Sequence, residues 1–233
     1  MVTHEKQIYR QLSSAVEWNS NHKDVVLITV PIYHSVGFGL IFKPCLLGSK
    51  VVITRDFDPE KTLKIIEEHQ ISQAFFVPTQ YMMMLQVPAF DKYRLSSLRL
   101  LISAGAPLSK DLKLTITKKF NCDLLEFFGC SETGAFTILQ PEDVIRKTAS
   151  VGQQVVQMEV RLLDDDGNDV GVGGEGEFTV RGPFLFNGYY KQPEEDEKAF
   201  LPGGWFQTGD MGKMDEDGFY YLLDRKKDMI ISG

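Results

Sequence analysis

The residues able to do chemistry lie in short polar segments that follow apolar runs. Phe127-Phe128-Gly129-Cys130-Ser131-Glu132-Thr133-Gly134 is the richest of them. Its glycine lets backbone come close to a ligand. Ser131 and Thr133 can donate to phosphate oxygens, and Glu132 can hold Mg2+. The same residues suit a polar turn from a strand into a helix, with a serine as cap. A hydrolase nucleophile elbow is a third reading, but it needs Gly-x-Ser-x-Gly, and Thr133 stands where the last glycine belongs.

Other segments each have a chemical and a structural reading. Side chains as small as those of Ser103-Ala104-Gly105-Ala106-Pro107 let a flat ring lie against backbone, although a tight turn is the favoured reading of this segment alone. In Gly203–Asp210, an aspartate after a glycine can accept two hydrogen bonds from a ribose diol, or it can simply make a turn. Asp224-Arg225-Lys226-Lys227-Asp228 offers bases to a phosphate, or forms a surface charge cluster. His34 follows the apolar run Val25–Val30; a lone histidine is more often structural than catalytic, and its place at the carboxyl edge of the expected sheet raises the odds of chemistry somewhat. Asp164, Asp166, Asn168 and Glu175 match several calcium-loop positions, yet Asp169 occupies the one that requires glycine. The flanks there alternate like strands, so no calcium loop is expected.

The elements that must position these residues differ between the two parts of the chain. Up to about residue 140, strands and helices alternate. Val25–Val30, Lys50–Thr54, Gln73–Val77, Leu98–Ser103 and Asp123–Phe128 read as strands. Ser35–Leu47, Asp58–His69, a segment from Tyr81 and Ser109–Phe120 read as helices. Such alternation predicts a mainly parallel sheet flanked by helices, an α/β fold. Beyond residue 150, short strands at Val155–Leu163, Glu175–Arg181 and Gly218–Leu223 join through Asp/Gly turns, which predicts a small antiparallel β-barrel. The acidic run Glu194–Glu197 reads as a solvated helix start.

Composition narrows the function classes. A chain of 233 residues with 43% hydrophobic and 24% charged residues is an ordinary globular protein able to bury a core. A net charge of −7 argues against a nucleic-acid binder. The three cysteines include no Cys-x-x-Cys pair, which fits a reducing compartment, cytoplasm or organelle matrix. No signal peptide is visible, and Val25–Phe42 reads as a buried strand, a turn and a buried helix rather than a membrane span.

Taken together and in order, these segments resemble the adenylate-forming enzymes: acyl-CoA synthetases, aryl-CoA ligases, luciferases and peptide-synthetase adenylation domains. Phe128–Thr133 is similar to the family's Tyr-Gly-x-Thr-Glu-Thr, and Gly174–Lys191 to its Gly-Glu, Arg-Gly and Gly-Tyr-Tyr segment. Gly204–Asp210 is similar to Gly-Trp-x-x-Thr-Gly-Asp, and Asp224–Gly233 to Asp-Arg-x-Lys-Asp-x-Ile. The closing segment is most like that of acyl- and aryl-CoA ligases. The resemblance implies an α/β subdomain over 1–148, a β-barrel subdomain over 149–223 and a hinge over 224–233.

The resemblance also implies roles. Ser131 would contact the α-phosphate, Glu132 would ligate Mg2+, and His34 would lie near the acyl carboxylate. Gly105 and Ala106 would line the adenine and Phe128 would pack on it; Gly129 would belong to the cofactor-binding set, and the acyl pocket would lie among His34, the segment after Ser103, and Gly129–Cys130. Asp210 would bind the ribose hydroxyls, Arg225 would support ribose and phosphate, and Lys227 would fall at the hinge. The substrates would be ATP, yielding AMP, a small carboxylic acid and coenzyme A. The family's phosphate loop is expected before residue 1, and its C-terminal domain after residue 233. The 233 residues alone are therefore expected to adenylate poorly, which leaves a non-catalytic nucleotide or acyl-adenylate binding module as the alternative. A serine hydrolase using Ser131 ranks below both. Neither the acyl group nor the oligomeric state is legible.

Overall fold

A computed structural model describes residues 1–225, with the backbone alone described at Asp224 and Arg225. The chain divides into two compact units, one of Gln11–Phe127 with Leu139–Thr148, the other of Met1–Arg10, Phe128–Ile138 and the residues from Ala149 onward. The first helix, α1 (His4–Glu17), passes from one into the other.

The unit containing Gln11–Phe127 alternates strand and helix as the sequence predicts: β1 (Val25–Ile28), α2 (Ser35–Leu47), β2 (Lys50–Ile53), α3 (Pro59–His69), β3 (Gln73–Phe76), α4 (Pro78–Leu85), β4 (Leu100–Ser103), α5 (Lys110–Phe120) and β5 (Asp123–Cys130). Its strands are parallel and run in the order β2-β1-β3-β4-β5. Parallel neighbours need long crossovers, which the helices supply. Every residue of β3 and β4 is buried, which explains their unbroken apolar sequences. Leu27, Ile28, Leu63, Ile66, Phe76, Leu101 and Ile116 pack there. Each such side chain contributes about 1.5–3 kcal/mol when fully buried.

Local signals set the helix ends. The Asp58 carboxylate accepts from the Lys61 amide at 2.7 Å, with Pro59 opening α3. Ser109 caps α5 through the Leu112 amide at 3.3 Å. Buried Tyr81 of α4 donates its hydroxyl to the Ile102 carbonyl at 3.0 Å, fixing α4 against the end of β4. One expectation is corrected: α2 is not a buried helix. Leu40, Lys43 and Pro44 are buried, whereas Phe38 and Leu46 on its outer side are exposed. No helix among the described residues is long and apolar enough to cross a membrane.

The other unit is built on antiparallel strands: β6 (Gly134–Leu139, reaching Ile138 within this unit), β7 (Gln153–Gln154), β8 (Glu159–Leu163), β9 (Glu175–Arg181), then helix α6 (Pro193–Ala199), β10 (Phe200–Leu201), β11 (Trp205–Met214) and β12 (Tyr220–Arg225). β6 lies beside the end of β5 (Phe128–Cys130) and pairs antiparallel with β7. The rest form a second, five-stranded sheet in the order β10-β11-β9-β8, with β12 beside β11. Register shifts along β11 on both its neighbours bend this sheet into a half-barrel. Phe136, Phe178 and Tyr220 fill it, with ring centroids 5.6 Å apart for Phe136–Phe178 and for Phe178–Tyr220.

The Asp/Gly segments are turns, as expected. Asp164 Oδ1 accepts from the amides of Asp166 at 3.0 Å and Asn168 at 2.8 Å, between strands β8 and β9. The expected strand Val155–Leu163 begins only at Glu159, because Gln157 adopts a left-handed φ of 76°.

Candidate functional site

The segment Cys130–Gly134 is a turn that joins β5 to β6. It leads into a strand, not a helix, so Ser131 is not a helix cap. The same observation removes the nucleophile elbow, which requires strand, turn and helix. Gly129 is obligatory here, since a Cβ at that position would overlap the Gly134 carbonyl oxygen. Thr133 is fully buried, its hydroxyl accepting from the Cys130 amide at 3.0 Å and donating to the Gly134 carbonyl at 2.7 Å. That hydroxyl closes the turn and is not offered to a phosphate, contrary to expectation.

What the turn presents outward is Ser131, exposed, and Glu132, half-buried. Glu132 Oε1 accepts from the Tyr189 hydroxyl at 3.1 Å. Burial, reinforced by the Glu132 charge, pushes the Tyr189 phenol up to about 12, so it stays a donor at any ordinary pH. The Glu132 carbonyl accepts from the Phe186 amide at 2.8 Å and from Arg10 Nη2 at 2.7 Å. Arg10 also donates to the carbonyls of Ser131 at 3.0 Å and Phe184 at 2.9 Å. A lone carboxylate of this kind suits Mg2+, which takes one or two carboxylates and completes its shell with water and phosphate oxygens. Phe128, one residue before Gly129, is half-buried and packs on Phe136 at 4.9 Å and Phe178 at 5.5 Å.

In the same unit, Asp210 lies in β11 at the register shift, 9% exposed, with Arg225 of β12 as its register partner. Glu177 braces the approach to Asp210: its Oε1 accepts from the Gly209 amide at 3.0 Å and its Oε2 from Gln207 Nε2 at 3.3 Å. The Thr208 hydroxyl donates to the Phe178 carbonyl at 2.9 Å and accepts from the Asp210 amide at 3.2 Å. Lys227 lies outside the described residues.

In the unit of Gln11–Phe127, the candidates follow the carboxyl ends of parallel strands, where ligands bind in open α/β sheets. His34 is exposed and caps α2, its Nδ1 accepting from the Val36 amide at 3.3 Å. Gly105 and Ala106 form an exposed turn after β4, with Gly105 at a φ of +87° that other residues rarely adopt. Glu126 of β5 anchors that turn. Its Oε1 accepts from the Leu108 amide at 2.9 Å and its Oε2 lies 2.5 Å from Lys113 Nζ, with both side chains buried. Burial raises the Glu126 carboxyl above the usual carboxylate range, against the pull of the Lys113 ammonium.

Sequence reading missed Arg10, Glu126, Glu177 and Tyr189. Glu126 left one signal, a carboxylate inside an apolar strand. Arg10 left none, because its partners are backbone carbonyls more than a hundred residues away.

A family model described as AMP-binding enzyme matches residues 1–190. A feruloyl-CoA synthase of Amycolatopsis is 32% identical over 235 aligned residues, covering 100% of this chain and 48% of the relative. A 2-succinylbenzoate–CoA ligase of Bacillus licheniformis is 33% identical, covering 100% of this chain and 48% of the relative. The O-succinylbenzoate coenzyme A synthetase of Bacillus subtilis, solved with ATP and a magnesium ion, has a TM-score of 0.91 at 28% identity, covering 100% of this chain and 48% of that one. The chain thus spans about half the length of the curated relatives it matches.

Proposed function

Because the chain belongs to the AMP-binding enzyme family, we propose that it takes part in ATP-dependent activation of a carboxylic acid and in transfer of the acyl group to coenzyme A. A substrate carboxylate oxygen attacks the α-phosphorus of ATP and pyrophosphate leaves. The thiol sulfur of coenzyme A then attacks the acyl carbon, its proton is lost, and AMP departs. The observation that carries this reading is the β5–β6 turn, which offers a hydroxyl and a carboxylate side by side on a backbone tied at several points. Support also comes from the relative solved with ATP and magnesium.

Ser131 donates to an oxygen of the α-phosphate, and Glu132 holds Mg2+. When bound, Mg2+ neutralises phosphate charge and polarises the phosphoryl oxygens. Phe128, Gly105 and Ala106 meet the adenine, and Gly129 and Cys130 border the acyl group. Asp210 accepts from the ribose hydroxyls, Arg225 supports ribose and phosphate, and His34 lies near the acyl carboxylate. Positioning and charge stabilisation are the protein's share of this chemistry.

Calorimetric titration of the chain with a non-hydrolysable acyl-adenylate analogue tests the proposal. Binding is expected, and Asp210→Ala should weaken it by about 1.5–3 kcal/mol, roughly 10- to 150-fold, the loss typical of hydrogen bonds to a charged group. No binding to the folded chain, or equal binding by the variant, counts against it. Binding without ATP–pyrophosphate exchange would favour the alternative of a non-catalytic adenylate-binding module.

A further inference from the structure

We propose that Arg10 is the positioning residue that sets the Ser131–Glu132 backbone for the phosphate and its metal, an inference that rests on the roles given above to Ser131 and Glu132. One guanidinium donates to three carbonyls: Phe184 through Nε at 2.9 Å, Ser131 through Nη1 at 3.0 Å and Glu132 through Nη2 at 2.7 Å. The carbonyls belong to two separate stretches of chain, and a further bond from the Phe186 amide to the Glu132 carbonyl at 2.8 Å ties those stretches directly. The Tyr189 hydroxyl holds the Glu132 side chain at 3.1 Å. Backbone and side chain of Glu132 are thus held by different partners.

The division of labour has a physical reason. The Thr133 hydroxyl closes the turn from inside but bonds only Cys130 and Gly134, so without Arg10 the peptides of Ser131 and Glu132 would sample several orientations, each aiming their side chains differently. A rigid planar fork with donors on both edges restricts three carbonyls at once. Lysine places its donors at one flexible point and cannot span them. Gly134 borders the same arrangement: its φ of +66° is one that other residues rarely adopt, and a Cβ there would only touch Arg10 Cδ and Nε, at 3.4 Å. Arg10 touches no substrate and acts only through the turn.

The test compares Mg2+-ATP with adenosine as titrants of the purified chain. Adenosine reports on the base and ribose contacts. The gain on adding Mg2+ and phosphates reports on the turn. In the unsubstituted chain, Mg2+-ATP should bind more tightly than ATP with chelator, and Glu132→Gln should remove that gain. Arg10→Ala should cut the gain by about 10- to 100-fold, the usual cost of removing a group that orients a metal ligand. Adenosine affinity should stay within about twofold, and millimolar guanidinium should restore part of the loss, because a small cation can refill the space of a truncated arginine. If Arg10→Ala does not fold, Arg10→Lys carries the comparison and should show a smaller loss of the same kind. An intact Mg2+ gain in the arginine variants overturns the inference, as does an equal loss of adenosine binding without guanidinium rescue. A gain that survives Glu132→Gln overturns the functional reading itself and the inference with it.

Discussion

At the scale of single residues, the site depends on atoms that are absent as much as on atoms that are present. Gly129 has no Cβ, and the Gly134 carbonyl oxygen occupies the place one would take. Gly129→Ala must therefore push two strands apart, at a cost of about 3 kcal/mol for a steric insertion of this severity. Denaturant unfolding of the variant checks the figure, and a change under about 1 kcal/mol would mean the turn relaxes freely. Ser131, Glu132 and Asp210 stand out in the sequence as candidates because short polar motifs carry them. The work of Thr133 was not legible. Its hydroxyl reads like that of Ser131, and only the hairpin shows that it is consumed inside the turn. Arg10 and Glu177 were invisible for a related reason: each braces backbone, and a backbone partner leaves no trace in residue types.

At the scale of elements, α2 carries a lysine on its buried side. Lys43 is 2% exposed, its ammonium lies 3.4 Å from the centre of the Trp18 ring, and it donates to Ser20 Oγ at 3.1 Å. Burial holds its pKa well below the usual lysine range, opposed by the Asp24 carboxylate and assisted by the Arg99 guanidinium. The unfolded chain binds this proton up to about pH 10.4, whereas the folded chain releases it earlier. The lysine therefore costs stability at neutral pH, and the cost fades as pH rises from its depressed pKa towards about 10.4. Lys43→Met keeps the volume and removes the charge. The variant should melt higher at pH 7, with the difference narrowing by pH 9.5. A difference independent of pH would show that Lys43 keeps its proton in the folded chain across this range. The pattern of α2 was legible and its environment was not: an apolar sequence predicted burial all round, and the structure leaves Phe38 and Leu46 exposed. The parallel strands were read well because a short continuous apolar run between helix caps fits little besides a strand covered on both faces. Helix α1 and strand β6 escaped notice. The first has a polar, mixed-charge sequence, and the second follows a turn whose serine suggested a helix instead.

At the scale of the whole molecule, the three thiols differ sharply in environment. Cys45 is exposed, while burial pushes Cys122 up to about 12 and Cys130 to about 11. Thiolate is the reactive form. A disulfide reagent at pH 8 should therefore modify one thiol per chain quickly, and Cys45→Ser should abolish that fast phase. Fast labelling of two or three thiols would mean the fold opens readily under native conditions. The same accounting of inside and outside has a sharper form in β5. Phe127 stacks with Trp18 at 5.8 Å, whereas its neighbour Phe128 packs on Phe136 at 4.9 Å. Consecutive strand residues point to opposite faces, so ring destinations are assigned by counting, not by chemistry. Replacing Phe128 by tyrosine keeps the count; inserting or deleting one residue between Asp123 and Phe127 exchanges the destinations of both rings. Among the descendants of this gene, β5 should hardly vary in length, a stretch without gaps beside loops that accept them, with Glu126 and Gly129 kept within it.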